Sequence, residues 1–122
     1  TLNATGLTAS TTYYGHVVHT DAATNDSNRV SSSSFTTSAP PTITTAAFKN
    51  NAGSLQASVT IDNVVVLRAS NRTLTLALTA QTTDASGILT IANAALTSGV
   101  DYLVVSWNTG LTSRGCEIYT AS

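Results

Sequence analysis

Charge is what this chain has least of. Only 9% of its 122 residues are Asp, Glu, Lys or Arg, against about 25% in an average soluble domain. There is a single lysine, Lys49, and the formal net charge is −1. No basic stripe exists, which excludes the electrostatic footprint of a nucleic-acid binder. Methionine is absent, and the only cysteine, Cys116, has no partner for an internal disulfide. A disulfide-stapled secreted module is therefore disfavoured. Apolar runs such as "NVVVLRAS" and "YLVVSW" fall far short of the roughly 20 residues of a membrane helix, so no membrane span is expected. The chain opens on Thr1 without a charged-then-apolar segment, and reads as starting inside a larger open reading frame.

What fills the space is Thr and Ser, roughly a third of all residues. Thr, Val and Ile suit pleated, half-buried surface, and 42% of the chain is hydrophobic, enough for a packed core. The expected class is all-β. Both prolines stand together in "SAPPT", where they fix backbone and cannot donate to a sheet ladder. This stretch is expected to divide the chain into residues 1–39, a linker at 40–43 and a second domain at 44–122.

Alternation dominates after that boundary. "LQASVTIDN" places Leu55, Ala57, Val59 and Ile61 on one face. "RTLTLALTAQT" places Leu74, Leu76 and Leu78 on one face and Thr73, Thr75 and Thr79 on the other. "GILTIAN", "YLVVSWNT" and "RGCEIYTAS" are further short strands. Separators such as "NNAG", "TDASG", "TSGVD" and "NTG" carry turn chemistry. About six strands at ten-residue spacing predict an antiparallel β-sandwich or barrel. The two halves share a loose grammar of apolar strand, D-A-x turn and second strand.

Candidate chemistry is sparse. His16 and His19 in "YYGHVVHT" are the obvious metal suspects, with Asp21, Asn25, Asp26 and Asn28 close behind. On a strand, positions i and i+3 face opposite ways, and zinc needs three or four ligands. The oxygen-rich "DAATNDSN" fits no EF-hand spacing. It reads as a polar hairpin tip that caps its own turn, so no metal or other cofactor is expected. Serines abound, but no G-x-S-x-G, G-x-x-x-x-G-K or G-x-G-x-x-G occurs. The six acids are scattered among turn residues, which is not the paired arrangement of a glycosidase. No catalytic residue is expected. Cys116 reads as a buried, inert thiol, sharing a face with Ile118 and Thr120. Trp107 at a strand end, with Tyr102 or Tyr119, is a candidate platform for stacking on a sugar ring.

The stretch "GLTASTTYYGHVVHTDAATNDSNRVSSSSFTTSA" resembles the C-terminal half of a fibronectin type III domain. Leu7, Thr11 and Tyr13 match that family's L-x-x-x-T-x-Y lead into its sixth strand, "DAATNDS" its D-A-x-G-N-x-S loop, and "SFTT" its final strand. The resemblance implies that Tyr13 is a tyrosine-corner residue, its hydroxyl bonding nearby backbone. Gly15 and His19 depart from the usual small or apolar inward residues. The rest is similar to immunoglobulin-like or transthyretin-like sandwiches, through "FKNNAGSLQASVTI", "TTDASGILTI" and "LTSGVDYLVVSW" in that order. This order looks most like modules of tailed-bacteriophage tail and fibre proteins.

The resemblance implies a non-enzymatic structural component of a phage virion, at the particle or an extracellular surface. Its partners would be other virion subunits, in a homo-oligomer, and a host-surface glycan. The alternative is a carbohydrate-binding or adhesive β-sandwich of a bacterial surface or secreted protein.

Overall fold

The computed structural model describes residues 4–122. It is all-β, with antiparallel pairing throughout and no helix among the described residues. The chain divides between Ala39 and Pro40 into two compact units.

The first unit is one long, interrupted hairpin. Strands β1 (Thr12–Tyr13) and β2 (His16–Val17) run out; β3 (Val30–Ser31) and β4 (Phe35–Thr36) return. β1 pairs with β4 and β2 with β3, and an isolated bridge joins Thr20 to Asp26 near the tip. From Tyr13↔Phe35 to His16↔Ser31, and from Val17↔Val30 to Thr20↔Asp26, the return strand advances one residue more than the outgoing one. Such extra residues are bulges, which add twist. Ser32 bridges the first: Gly15 N–H donates to Ser32 Oγ at 3.0 Å, and Ser32 N–H to the Gly15 carbonyl at 2.8 Å. The Tyr13 and Phe35 rings stack with centroids 6.0 Å apart.

The second unit has two layers. Strands β6 (Thr60–Arg68), β7 (Leu74–Thr82), β9 (Asp101–Trp107) and β10 (Arg114–Thr120) form a four-stranded sheet in the order β10-β9-β6-β7. Strands β5 (Thr42–Thr44) and β8 (Thr90–Ala92) pair with each other. Ile43 and Ile91 from the small pair, with Leu89 and Leu96, are buried in one cluster with Val64, Val66, Tyr102 and Val104 from the large sheet. Each such side chain contributes about 1.5–3 kcal/mol over an exposed one. The arrangement is that of a β-sandwich. β5 overlaps the stretch that reads as linker: Ile43 is fully buried, and the second unit begins at Pro40.

Three expectations about faces are corrected. The alternation over Leu55–Ile61 does not make one strand. Ser58 has φ +54°, outside the extended region, and breaks the stretch; Leu55 is 48% exposed, Ala57 is exposed, and β6 starts only at Thr60. Leu74 does not share the core with Leu76 and Leu78. The register shifts between Val66↔Leu76 and Leu67↔Leu74, so Thr75 is an extra residue that turns Leu74 to the other face, 59% exposed. Cys116 is exposed, because β10 turns Gly115 and Tyr119 towards the core side and Cys116 and Ile118 outward.

Three loops repeat one construction. Asp21, Asn50 and Asp84 each open a five-residue turn in which Oδ1 accepts the N–H groups of residues two and four further on. In each, the first residue's N–H donates to the carbonyl of the fifth, and the fourth residue's N–H donates back to the carbonyl of the first. The fourth residue sits at positive φ: Thr24 at 65°, Gly53 at 82° and Gly87 at 74°. The short Asx side chain replaces ladder bonds that the tight turn leaves unmade.

Candidate functional site

Neither histidine is placed to share an ion. His16 lies on β2 with Nδ1 2.8 Å from Ser31 Oγ, while the His19 backbone pairs with Ser27 further along the hairpin. Among the described residues no group of three or more His, Cys, Asp or Glu is arranged to hold a metal ion. The acids of "DAATNDSN" are used locally. Asp21 caps its own turn, and hydrogen bonds from Asn25 and Ala23 hold its carboxyl below the usual carboxylate range.

Tyr13 Oη accepts the Thr8 N–H at 2.9 Å, the geometry of a tyrosine corner. Hydrogen bonding with Thr8, through its side chain first and its backbone N–H second, lowers the phenol's pKa. Tyr102 repeats the device in the second unit, its Oη accepting the Thr97 N–H at 2.9 Å. The underlying stretches are "LTASTTY" and "LTSGVDY", Leu7–Tyr13 and Leu96–Tyr102. That shared L-T-x-x-x-x-Y is a signal that could have found the second corner, which the reading of Tyr102 as a sugar platform missed.

The three aromatics of the candidate sugar platform do not converge. Tyr102 is fully buried with its hydroxyl engaged, so it offers no ring face. Tyr119 pairs with Tyr102 across β9 and β10 and packs against the core. Its hydroxyl donates to Glu117 at 2.6 Å and accepts the Ala46 N–H at 3.2 Å. Burial pushes that phenol's pKa up, and the Glu117 carboxylate adds to the shift. Trp107 stands five residues from Tyr102 on β9 and therefore projects from the opposite face.

On that outer face Trp107, Val105, Leu111, Arg114 and Cys116 line a shallow hollow of about 460 Å³. Trp107 is half-buried, and Leu111, at φ +56°, is 52% exposed beside it. The loop between β9 and β10 is anchored to β6: Asp62 Oδ2 accepts the Thr109 N–H at 2.6 Å, and Asn108 Oδ1 accepts the Asp62 N–H at 3.1 Å. The bond from Thr109 holds the Asp62 carboxyl below its ordinary pKa.

A second cleft, about 230 Å³, opens where residues 46–49 run beside β10. The two segments are joined at both ends. Thr42 and Ser122 exchange backbone hydrogen bonds at 2.9 Å, and Asn50 bridges Ser113. Between those pins lie Phe48, Gly115 and Ser106. Ser106 is 2% exposed, and its Oγ has no hydrogen-bond partner among the described residues. Gly115 leaves the room: a Cβ there would stand 3.0 Å from Ser106 Oγ. No protein-family model, curated protein or solved structure matches the chain.

Proposed function

We propose that this chain is a non-enzymatic structural component of a phage virion, in a tail, fibre or other surface appendage, where it forms subunit contacts or attaches to the host surface. The reading joins the resemblance of residues 1–39 to part of a fibronectin type III domain with that of residues 44–122 to an immunoglobulin-like sandwich. The observation that carries it is the outward face of the four-stranded sheet. Large apolar side chains stand in the open there, with Ile118 60% and Leu74 59% exposed, in a chain with little charge to keep such faces apart. Exposed apolar surface of this kind marks interaction sites. An antibody raised against the chain should label the tails or fibres of purified particles. Labelling confined to a secreted or cell-surface bacterial fraction would overturn the reading.

The second reading is a carbohydrate-binding or adhesive module. It is favoured by the half-buried Trp107 beside Leu111 on the outer hollow, since a tryptophan ring at a hollow can stack on a sugar. A glycan array with Trp107→Ala as control separates the two. Signal that vanishes in the variant supports a glycan platform built on Trp107 alone, and signal indifferent to it removes that platform.

A further inference from the structure

The outward face of β10-β9-β6-β7 is ordered in rows across the strands. Ile118 lies opposite Leu103, Leu103 opposite Leu67, and Leu67 opposite Leu74. The next row is Cys116, Val105, Val65 and Ala77, and the one after it Arg114, Trp107, Asn63 and Thr79. Beyond the leucine row, at the other end, Asp101 faces Thr120, whose Oγ1 donates to Asp101 Oδ1 at 2.6 Å. The rows thus hold apolar residues at the centre, one cation at one end and one anion at the other. Both charged residues are exposed.

We infer that this face binds the same face of a second copy of the chain, about a twofold axis that lies between the sheets and runs across the strands. That axis reverses strand direction while laying β9 over β9 and β10 over β10. It brings Arg114 of each copy over Thr120 of the other, beside Asp101 on the adjacent strand and within reach of the long Arg114 side chain, so the face is complementary to itself in charge. The other in-plane axis, along the strands, lays β10 over β7 and sets Arg114 over uncharged Thr79, with no such match. Interfaces in closed dimers are isologous, as this one is, and apolar sheet faces stack about 10 Å apart.

The size of the face sets the strength. Four strands at about 4.8 Å spacing and four rows give roughly 400 Å² of flat area per copy. Two copies then bury on the order of 800–1,000 Å², the low end for specific complexes. The contact is therefore a weak, concentration-dependent one, suited to an assembly that repeats it many times. This inference rests on the reading of the chain as a subunit of a multi-copy structure.

The test is sedimentation velocity of the 122-residue chain from micromolar to millimolar concentration. A monomer–dimer equilibrium is expected. Ile118→Lys, at an exposed position that the fold does not need, should abolish it. Arg114→Asp and Asp101→Arg should each weaken dimerisation about tenfold through like-charge contacts. The double variant should return to within a few-fold of the original. In this arrangement the Cα atoms of the two Cys116 residues lie about 12 Å apart, beyond disulfide reach. A short bis-maleimide should therefore link the dimer, and air oxidation should not. A chain monomeric at every concentration overturns the inference. So does a dimer indifferent to Ile118→Lys, or a double charge reversal that fails to rescue the singles. If particles are still labelled by the antibody while the chain stays monomeric, only this face is lost. If particle labelling fails, the wider reading is lost with it.

Discussion

Tyr13 and Tyr102 stand in different units and make the same bond: each phenolic oxygen accepts the N–H of the residue five positions earlier, at 2.9 Å. Their surroundings differ. Tyr102 is fully buried within the core, whereas Tyr13 belongs to a two-ply hairpin on which Phe35 is 46% exposed. Removing the hydroxyl should therefore cost different amounts. Tyr102→Phe leaves a part-buried N–H unpaired and should lower stability by about 1–3 kcal/mol. Tyr13→Phe, where water can reach Thr8, should cost about 1 kcal/mol or less. Urea unfolding followed by Trp107 fluorescence reads the first. Exchange of hairpin amides reads the second. Equal losses would show that burial does not set the value of this bond.

The repeated five-residue loops make a paired prediction about backbone. Thr24 holds the fourth position at φ 65°, where the other two loops place glycine. A β-branched residue is strained there. Thr24→Gly should relieve that strain and slow exchange of the Ser27 amide, which donates to the His19 carbonyl. After glycine's own entropy cost the net gain is about 0.5–1 kcal/mol. Gly87→Ala should go the other way by about 1–2 kcal/mol, since its new Cβ would also press on Leu55 Cδ1 at 2.8 Å. Thermal unfolding of the two variants checks the opposite signs.

Ser106 is a buried hydroxyl with no hydrogen-bond partner among the described residues. A buried polar group that makes no hydrogen bond costs about 1–3 kcal/mol. Ser106→Ala should therefore be neutral or stabilising, raising the urea midpoint with an unchanged m-value. A loss above about 1 kcal/mol would mean that the hydroxyl is hydrogen-bonded after all.

Asp62 should make the second unit acid-sensitive. Its carboxyl is held below the ordinary pKa by the Thr109 N–H. A depressed folded-state pKa stabilises the fold above the unfolded value, about 4 for Asp. That contribution is lost as pH falls through the folded value. The urea midpoint of the original chain should exceed that of Asp62→Asn at pH 7, and the gap should close below about pH 4. A gap independent of pH would place the effect of the substitution elsewhere.

Much of the second unit was legible because strand alternation and turn residues agree there. In β9, Tyr102, Val104 and Ser106 are buried while Leu103, Val105 and Trp107 are only half-buried, as period-2 reading requires. The capping role of Asp21 was legible for the same local reason. What was missed traces to two physical causes. Backbone irregularities are silent in side-chain pattern: nothing marks Ser58 as a break or Thr75 as a bulge, and each changes which residues face the core. The second cause is the scarcity of charge. With apolar and Thr residues on both faces of the sheet, alternation tells which residues share a face but not which face is outside. Cys116 and Ile118 were grouped together correctly, yet their shared face is the exposed one. The platform reading of Tyr102 with Trp107 went against alternation itself, which sends residues five apart on one strand to opposite faces.

The reciprocal bonds between Thr42 and Ser122 also have a mechanical meaning. Thr42 at the start of the second unit and Ser122 after β10 are hydrogen-bonded neighbours that tie β5 to the end of β10. Tension applied between them loads these bonds and those of the adjoining seam one after another, as a zip opens, instead of all at once in shear. Along the cleft beside Phe48, the Ala46 N–H bond to the Tyr119 hydroxyl, and no backbone ladder among the described residues, links the two segments before Asn50 and Ser113. Under pull, the unit should therefore yield from this seam at low force while β6, β7 and β9 stay paired, and close again when the load is released.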